Sequence, residues 1–365
     1  MSQPAPRPQP RPELLEIEAY VPGKPAPAGA GKTYKLSSNE SPLGPSPKAI
    51  AAYREAAANL ASYPDGGASA LRHAIGARHG VDPARLLCGN GSDELIGLIA
   101  QVLLTPGDEG LYSQFGFVSY PIAIRAAGGT PVIAPERDWT ADVDALLAHV
   151  SERTRVVFFA NPNNPTGSLL PRGELARLHA GLPADTLLVL DSAYAEYVAE
   201  DSYEPGVELV DAHENVVMLR TFSKAYGLAG LRIGWAYGPP YLIDAMNRIR
   251  GPFNVNVAAQ AAGVAALEDP QHVAQAVAHN ARWLPWLRRE LQALGLEVPP
   301  SHGNFLLMRF RDAAETRRAD AALTAAGFVL RGMGGYGLPD CLRLSVGEEE
   351  ANTGVVAALK RFLSA

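Results

Sequence analysis

The chain has 365 residues, 47% of them apolar and 19% charged, a composition that supports a large buried core and excludes disorder throughout. Thirty-two Lys and Arg against 38 Asp and Glu leave a net charge of −6, so no global positive field draws in a nucleic-acid backbone. Cys88 and Cys341 are the two cysteines; they make no disulfide framework and no metal-ligand spacing, which points to a reducing compartment, to the cytoplasm, and to no bound metal.

Residues 1–12 hold five prolines and read as a disordered or surface-running arm, with no apolar leader behind them. The stretch SPLGPSP (41–47) punctuates the chain ahead of an alanine-rich helix over 48–60. Beyond it, short β-rich runs alternate with helix-length segments. The runs are 85–88, 109–112, 156–159, 187–190, 216–219 and 233–236, with helices over 93–104 and about 120–127. This alternation predicts an α/β fold with a mostly parallel sheet covered on both faces by helices. The longest apolar-rich run, 95–104, is well short of the roughly 20 residues of a membrane span, so no membrane association is expected. After about residue 255 the chain turns to long Ala-, Leu- and Arg-rich helices (257–267, 272–294) with two short strands, 304–310 and 341–346. The expected organisation is a large domain over 46–255 and a smaller α+β domain built from 13–45 and 256–365.

Ligands of open α/β sheets bind beyond the carboxyl ends of the strands, and here those ends are polar. After 86–88 comes GNGSDE (89–94): two glycines allow close backbone approach, and Ser92 and Asp93 open a helix, the arrangement of an anion site. An ordinary glycine turn with a helix cap is the competing reading. A dinucleotide fingerprint, and with it a dehydrogenase, fits worse because Glu94 stands where a third small residue belongs. After 156–159 comes NPNNPTG (161–167), a rigid loop or simply a turn. Asp191 closes the apolar run 187–190, with Tyr194 three residues on; a carboxylate there needs a cationic or protonated partner, unless it is only a helix cap. After 216–219 comes a loop with Thr221, Ser223, Lys224 and Arg232. A lysine reaching a desolvated crevice has a lowered pKa and serves as a Schiff-base nucleophile, whereas on the surface it is only solvated. An anion cradle, an amide, a buried carboxylate beside a tyrosine and an amine together meet the requirements of pyridoxal phosphate.

The runs TFSKAYGLAGLRIGW (221–235), NPNNPTG, DSAYAEY (191–197), GNGSDE and LRLSVG (342–347) resemble the fold-type I pyridoxal-phosphate aminotransferases. Within that family, YVPGK (20–24), LSSNESPLGPSP (36–47), YPDG (63–66) and RGMGGYGLPDCLRLSVG (331–347) resemble the histidinol-phosphate aminotransferase branch. The resemblance runs through nearly the whole chain in order. It implies pyridoxal 5′-phosphate as cofactor, held covalently by Lys224, whose freed amine then shuttles the substrate proton. It implies Asp191 on the pyridine nitrogen, and Asn164 and Tyr194 on the ring oxygen. Gly91, Ser92, Asp93, Thr221, Ser223 and Arg232 fall at the phosphate, and Phe117 in GFVSY stacks on the ring or, failing that, packs in the core.

By the same resemblance Tyr63 reaches the cofactor phosphate of a neighbouring subunit, which implies a homodimer with shared sites. Arg343 receives a substrate carboxylate or phosphate, with Arg331, Tyr20 and Asn39 near the substrate. The implied reaction moves the amino group of L-histidinol phosphate to 2-oxoglutarate in histidine biosynthesis. An aromatic amino-acid aminotransferase and a threonine-phosphate decarboxylase share the same scaffold. A non-catalytic cofactor-binding regulator is the reading from another class, and no basic recognition module precedes the fold to support it.

Overall fold

The computed structural model describes residues 8–17 and 32–364; Tyr20 and residues 1–7 of the proline-rich arm lie outside the described residues. Seven strands form the central sheet: β1 (Leu86–Gly89), β2 (Glu109–Ser113), β3 (Thr130–Ala134), β4 (Thr154–Ala160), β5 (Leu187–Asp191), β6 (Val216–Thr221) and β7 (Gly234–Tyr237). Their spatial order is β1-β7-β6-β5-β4-β2-β3. All neighbours run parallel except at β7, which is antiparallel to both β1 and β6. The α/β class with a mostly parallel sheet is therefore the observed one.

The central strands are apolar on both sides because both faces are covered. Val157, Phe159, Leu188, Leu190 and Met218 pack into one core layer. Their neighbours Val156, Phe158, Val189, Val217 and Leu219 pack into the layer on the other face, as the two-residue period of a strand dictates. β3 is absent from the sequence expectations: it is an edge strand with Pro131 and partly exposed residues, so it lacks the continuous apolar run of its neighbours.

Helix α1 (Pro47–Ala56) is capped by Ser46, whose side chain accepts from the Ala49 amide at 3.3 Å. It is followed by α2 (Ser69–His79), α3 (Ser92–Leu103) and α4 (Ser119–Ala127). Farther on, α5 (Val257–Leu267) lies against α1 and α2. Its buried Ala259, Ala262 and Ala266 belong to the large core, because a face of small side chains lets the helices approach closely. The core of the large unit thus runs past residue 255 to Val273; the shift in composition there marks helix propensity, not a change of core. The next helix, α6 (Pro270–Ala293), joins the units: Val273 sits in the large core, and Trp283, Leu287 and Leu291 sit in the small one.

The small unit carries an antiparallel sheet of β8 (Phe305–Arg309), β9 (Arg331–Gly332) and β10 (Cys341–Ser345), in the order β8-β10-β9. Tyr34–Lys35 pairs in parallel with Phe328–Val329, and Leu36 packs into the same core. Segments from both ends of the chain therefore build this unit, and the segment 36–40 is carried to the carboxyl edge of the central sheet.

Candidate active site

At that edge lies an open cleft, at the place where ligands of open α/β sheets bind. Its wall brings together ten of the residues singled out in the sequence: Ser92, Asp93, Phe117, Asn164, Asp191, Tyr194, Thr221, Ser223, Lys224 and Arg232. They come from the ends of β1, β4, β5 and β6 and from the start of α4, segments far apart in sequence that the parallel sheet aligns.

Lys224 Nζ donates to the Ser38 carbonyl at 3.1 Å and lies 5.7 Å from the centre of the Tyr194 ring. Burial, and after it the positive charge of Arg343, push its pKa down to about 8, so a sizeable fraction of the amine is neutral and nucleophilic near neutral pH. Gly227, at φ +69°, lets this loop rest on the 36–47 segment: a Cβ there would come within 2.2 Å of the Gly44 carbonyl oxygen.

Asp191 is 5% exposed. Its Oδ2 accepts from the Tyr120 hydroxyl at 3.0 Å, while its Oδ1 is buried and has no partner. Burial pushes this carboxyl up to about 6, against the Tyr120 hydrogen bond. An orphaned carboxylate oxygen in a cleft is a costly arrangement unless a ligand brings a proton donor.

The phenol of Tyr194 accepts from Asn39 Nδ2 at 2.8 Å, which leaves its own proton free for donation. Burial raises its pKa, so it stays protonated. Asn39, expected near the substrate, is fully buried and absent from the cleft wall. Its backbone takes φ +56°, and it is fixed by Ser345 Oγ at 2.8 and 3.0 Å and by Asn304. Its observed place is behind Tyr194, because the small unit folds over it.

At the other end of the cleft α3 begins without a side-chain cap, so its first amides face an open position with the partial positive charge of a helix start. Gly91 is favoured there because its φ of +78° is a conformation that L side chains rarely adopt. Arg232 itself holds φ +53°, pairs with Asp93 at 3.4 Å and reaches Ser223 Oγ at 3.4 Å. Thr221 Oγ1 donates to Ser223 Oγ at 3.0 Å. Hydroxyls, helix amides and a guanidinium thus converge on one anion-sized place. Glu94, the residue that disfavoured a dinucleotide fingerprint, bonds the Asn90 amide and the Asn254 side chain, which fixes this loop from below.

Arg343, on β10, is 6% exposed. Its Nη1 donates to Asn164 Oδ1 and its Nη2 to the Ser37 carbonyl at 2.8 Å. Arg331 sits opposite Arg343 in the β9–β10 ladder, so the two side chains share a sheet face. Phe117 borders the cleft with its ring edge-on to Tyr120, 5.9 Å between centroids. Tyr63 lies outside the cleft, 82% exposed and stacked on Phe253 at 4.6 Å.

Sequence reasoning passed over Tyr120, Glu40 and the carbonyls of Ser37 and Ser38. Tyr120 was open to detection: it closes the GFVSY run that carries Phe117. Glu40, on the cleft wall, lies inside the LSSNES run.

The orphaned Asp191 oxygen, the depressed Lys224 amine, the free Tyr194 proton and the anion cradle suit a phosphorylated, protonated pyridine aldehyde. That is a fit to the chemistry of pyridoxal phosphate made from residues in place. Comparison with known proteins agrees. The Aminotransferase class I and II family matches residues 32–359. Histidinol-phosphate aminotransferase of Paramagnetospirillum magneticum is 54% identical over 98% of this chain and 99% of its own length. The same enzyme from Rhodopseudomonas palustris is 52% identical over 98% and 99%. The crystal structure of histidinol-phosphate aminotransferase from Sinorhizobium meliloti in complex with pyridoxal-5′-phosphate superposes with a TM-score of 0.88, at 30% identity, covering 97% of each chain.

Proposed function

On the premise that this chain belongs to the class I and II aminotransferases, we propose that it transfers the amino group of L-histidinol phosphate to 2-oxoglutarate, yielding imidazole-acetol phosphate and L-glutamate, as a step of cytoplasmic histidine biosynthesis. The observation that carries the reaction is the cleft itself, where the Lys224 amine faces the unpartnered Asp191 oxygen and the wall residue Asn164 is held from behind by Arg343. The substrate is read from relatives named for it that are more than half identical over nearly the full chain.

Pyridoxal 5′-phosphate, when bound, supplies an aldehyde for amines and an electron-accepting ring. Lys224 holds it through Nζ. When free of the cofactor, Nζ would take the proton from the substrate carbon that bears nitrogen and return it to the carbon on the other side of that nitrogen, a task suited to an amine whose pKa burial has brought to about 8. Asp191 Oδ1 accepts the ring N–H and keeps that nitrogen protonated, while Tyr120 on Oδ2 prevents the carboxylate from turning away. Asn164 and Tyr194 donate to the ring oxygen, and Phe117 covers the ring. The α3 amides, Thr221, Ser223 and Arg232 hold the phosphate.

Arg343 presents a planar fork that fits a carboxylate or a phosphate equally, so one residue serves both half-reactions: the glutamate pair brings an α-carboxylate and the histidinol phosphate pair a phosphate. Arg331 adds a second positive charge on the same sheet face. The exposed Tyr63–Phe253 stack supports a homodimer in which Tyr63 reaches the phosphate held by the other subunit.

Single-turnover spectra test this reading. L-Histidinol phosphate and L-glutamate each bleach the visible absorption of the lysine-bound cofactor rapidly, and L-phenylalanine does so slowly. Faster bleaching by phenylalanine would reassign the chain to aromatic amino acids; no absorption after adding the cofactor would overturn the reaction class.

A further inference from the structure

We infer that the buried ion pair of Arg220 and Glu196, which lies on the far side of the sheet from the cleft, is a positioning device that locks the Tyr194 turn to the Lys224 strand. The inference rests on the function just proposed and assigns a role to two residues outside the cleft wall.

Arg220 is the penultimate residue of β6, immediately before Thr221, and Glu196 lies in the 3₁₀ turn Ala195–Tyr197 that follows Tyr194. Strand alternation sends the two β6 side chains to opposite faces: Thr221 borders the cleft, and Arg220 lies over the Trp235 ring, 5.7 Å from its centre. Arg220 Nη2 meets Glu196 Oε1 at 2.6 Å, with the side chains only 7% and 10% exposed. Arg220 Nε is buried and has no partner.

The surroundings leave the carboxylate as the counter-charge of this guanidinium. His79 packs on the same indole at 5.2 Å, and burial together with Arg220 pushes its pKa down to about 3, so it is neutral. Tyr226 reaches His79 Nε2 at 3.5 Å, and Tyr203 donates to the Asn161 carbonyl at 3.0 Å, in the loop that carries Asn164. Burying two charges is expensive, and a well-packed apolar pair of similar volume is often equally stable or more so. What the charged pair adds is direction. A guanidinium held by a carboxylate fixes a rigid orientation between two segments, and these two carry the phenol and the amine of the cleft.

The test uses the cofactor-loaded full chain and reads the pH midpoint of its visible absorption. A donor on the cofactor's ring oxygen lowers that oxygen's basicity, so a loosened Tyr194 raises the midpoint. In the double variant Arg220→Met/Glu196→Leu, which removes both charges, the expected outcome is a melting temperature near that of the wild type, a midpoint raised by about 1 pH unit and a kcat lowered about 10- to 100-fold. Arg220→Lys keeps the charge but loses the planar guanidinium that meets Glu196 through Nη2; it is expected to fold and to show the same shift at about half the size, which supplies the readout if the double variant does not fold. A wild-type midpoint in either folded variant overturns the inference while leaving the transaminase reading intact. Absence of the absorption in the wild type overturns both.

Discussion

The two edges of the central sheet are built from the same strands and treated in opposite ways. At the amino edge the two carboxylates that open β2 have partners: Glu109 accepts from Ser151 at 2.6 Å and pairs with Arg153, and Asp108 accepts from Thr105 at 2.6 Å and pairs with Arg155 at 3.2 Å. At the carboxyl edge Asp191 keeps an unpartnered buried oxygen, Lys224 is held in a site that disfavours its charge, and Asn39 and Arg232 adopt left-handed backbone. The difference teaches where a ligand belongs. Between these two sets of carboxylates, the pairs that serve stability are satisfied, and the one at the cleft is left incomplete where a bound molecule would complete it.

Four substitutions probe this contrast. The largest effect is expected from Lys224→Ala, which removes both the covalent anchor and the proton carrier: turnover falls by about 10⁴-fold or more and the visible absorption of the bound cofactor disappears, while the melting temperature of the cofactor-free chain holds. Second is Asp191→Asn, with kcat lowered about 10²- to 10³-fold because an amide does not hold the pyridine proton.

The same variant has a pH signature. The folded carboxyl keeps its proton up to about 6 and the unfolded one up to about 3.8, so in that window the folded, cofactor-free chain binds more protons than the unfolded one. Its stability therefore falls as pH rises from about 4 to about 6, and melting temperatures measured across this range lose that component in Asp191→Asn.

A smaller effect is expected from Arg343→Lys, which keeps the charge but not the fork: KM rises about tenfold for both amino donors in steady-state assays. The smallest belongs to the satisfied edge. Arg153→Ala removes one partner of Glu109 and lowers stability by about 1 kcal/mol in chemical denaturation, with kcat unchanged. A loss of activity there, or of stability at Lys224, would break the distinction between the edges.

The resemblance to aminotransferases, the α/β class and the strand-end motifs were all legible in one dimension. Buried parallel strands are continuous apolar runs, and the polar residues that end them stand next in sequence. Lys224, Asp191, Tyr194, the NPNNPTG loop and the residues around Ser92 stood out by that adjacency, and the resemblance picked Asn164 within the loop. The edge strand β3 was lost because partial exposure and Pro131 break its run, and the placement of α5 was lost because alanine content sets helicity without naming the core it joins.

The sequence by itself determined the buried strands, most of the helices, where the polar ends lie and which side chains are candidates for the chemistry, since each is a local matter of pattern and residue type. Only the tertiary structure decided the pairings that make those residues act: Asn39 behind Tyr194 across 155 residues, Tyr120 on Asp191 across 71, Arg343 on Asn164 across 179 and Glu196 on Arg220 across the end of the sheet. Such partners are chosen by which elements pack together, and desolvation, which moves Asp191 up and Lys224 down, exists only once the two units close over the cleft.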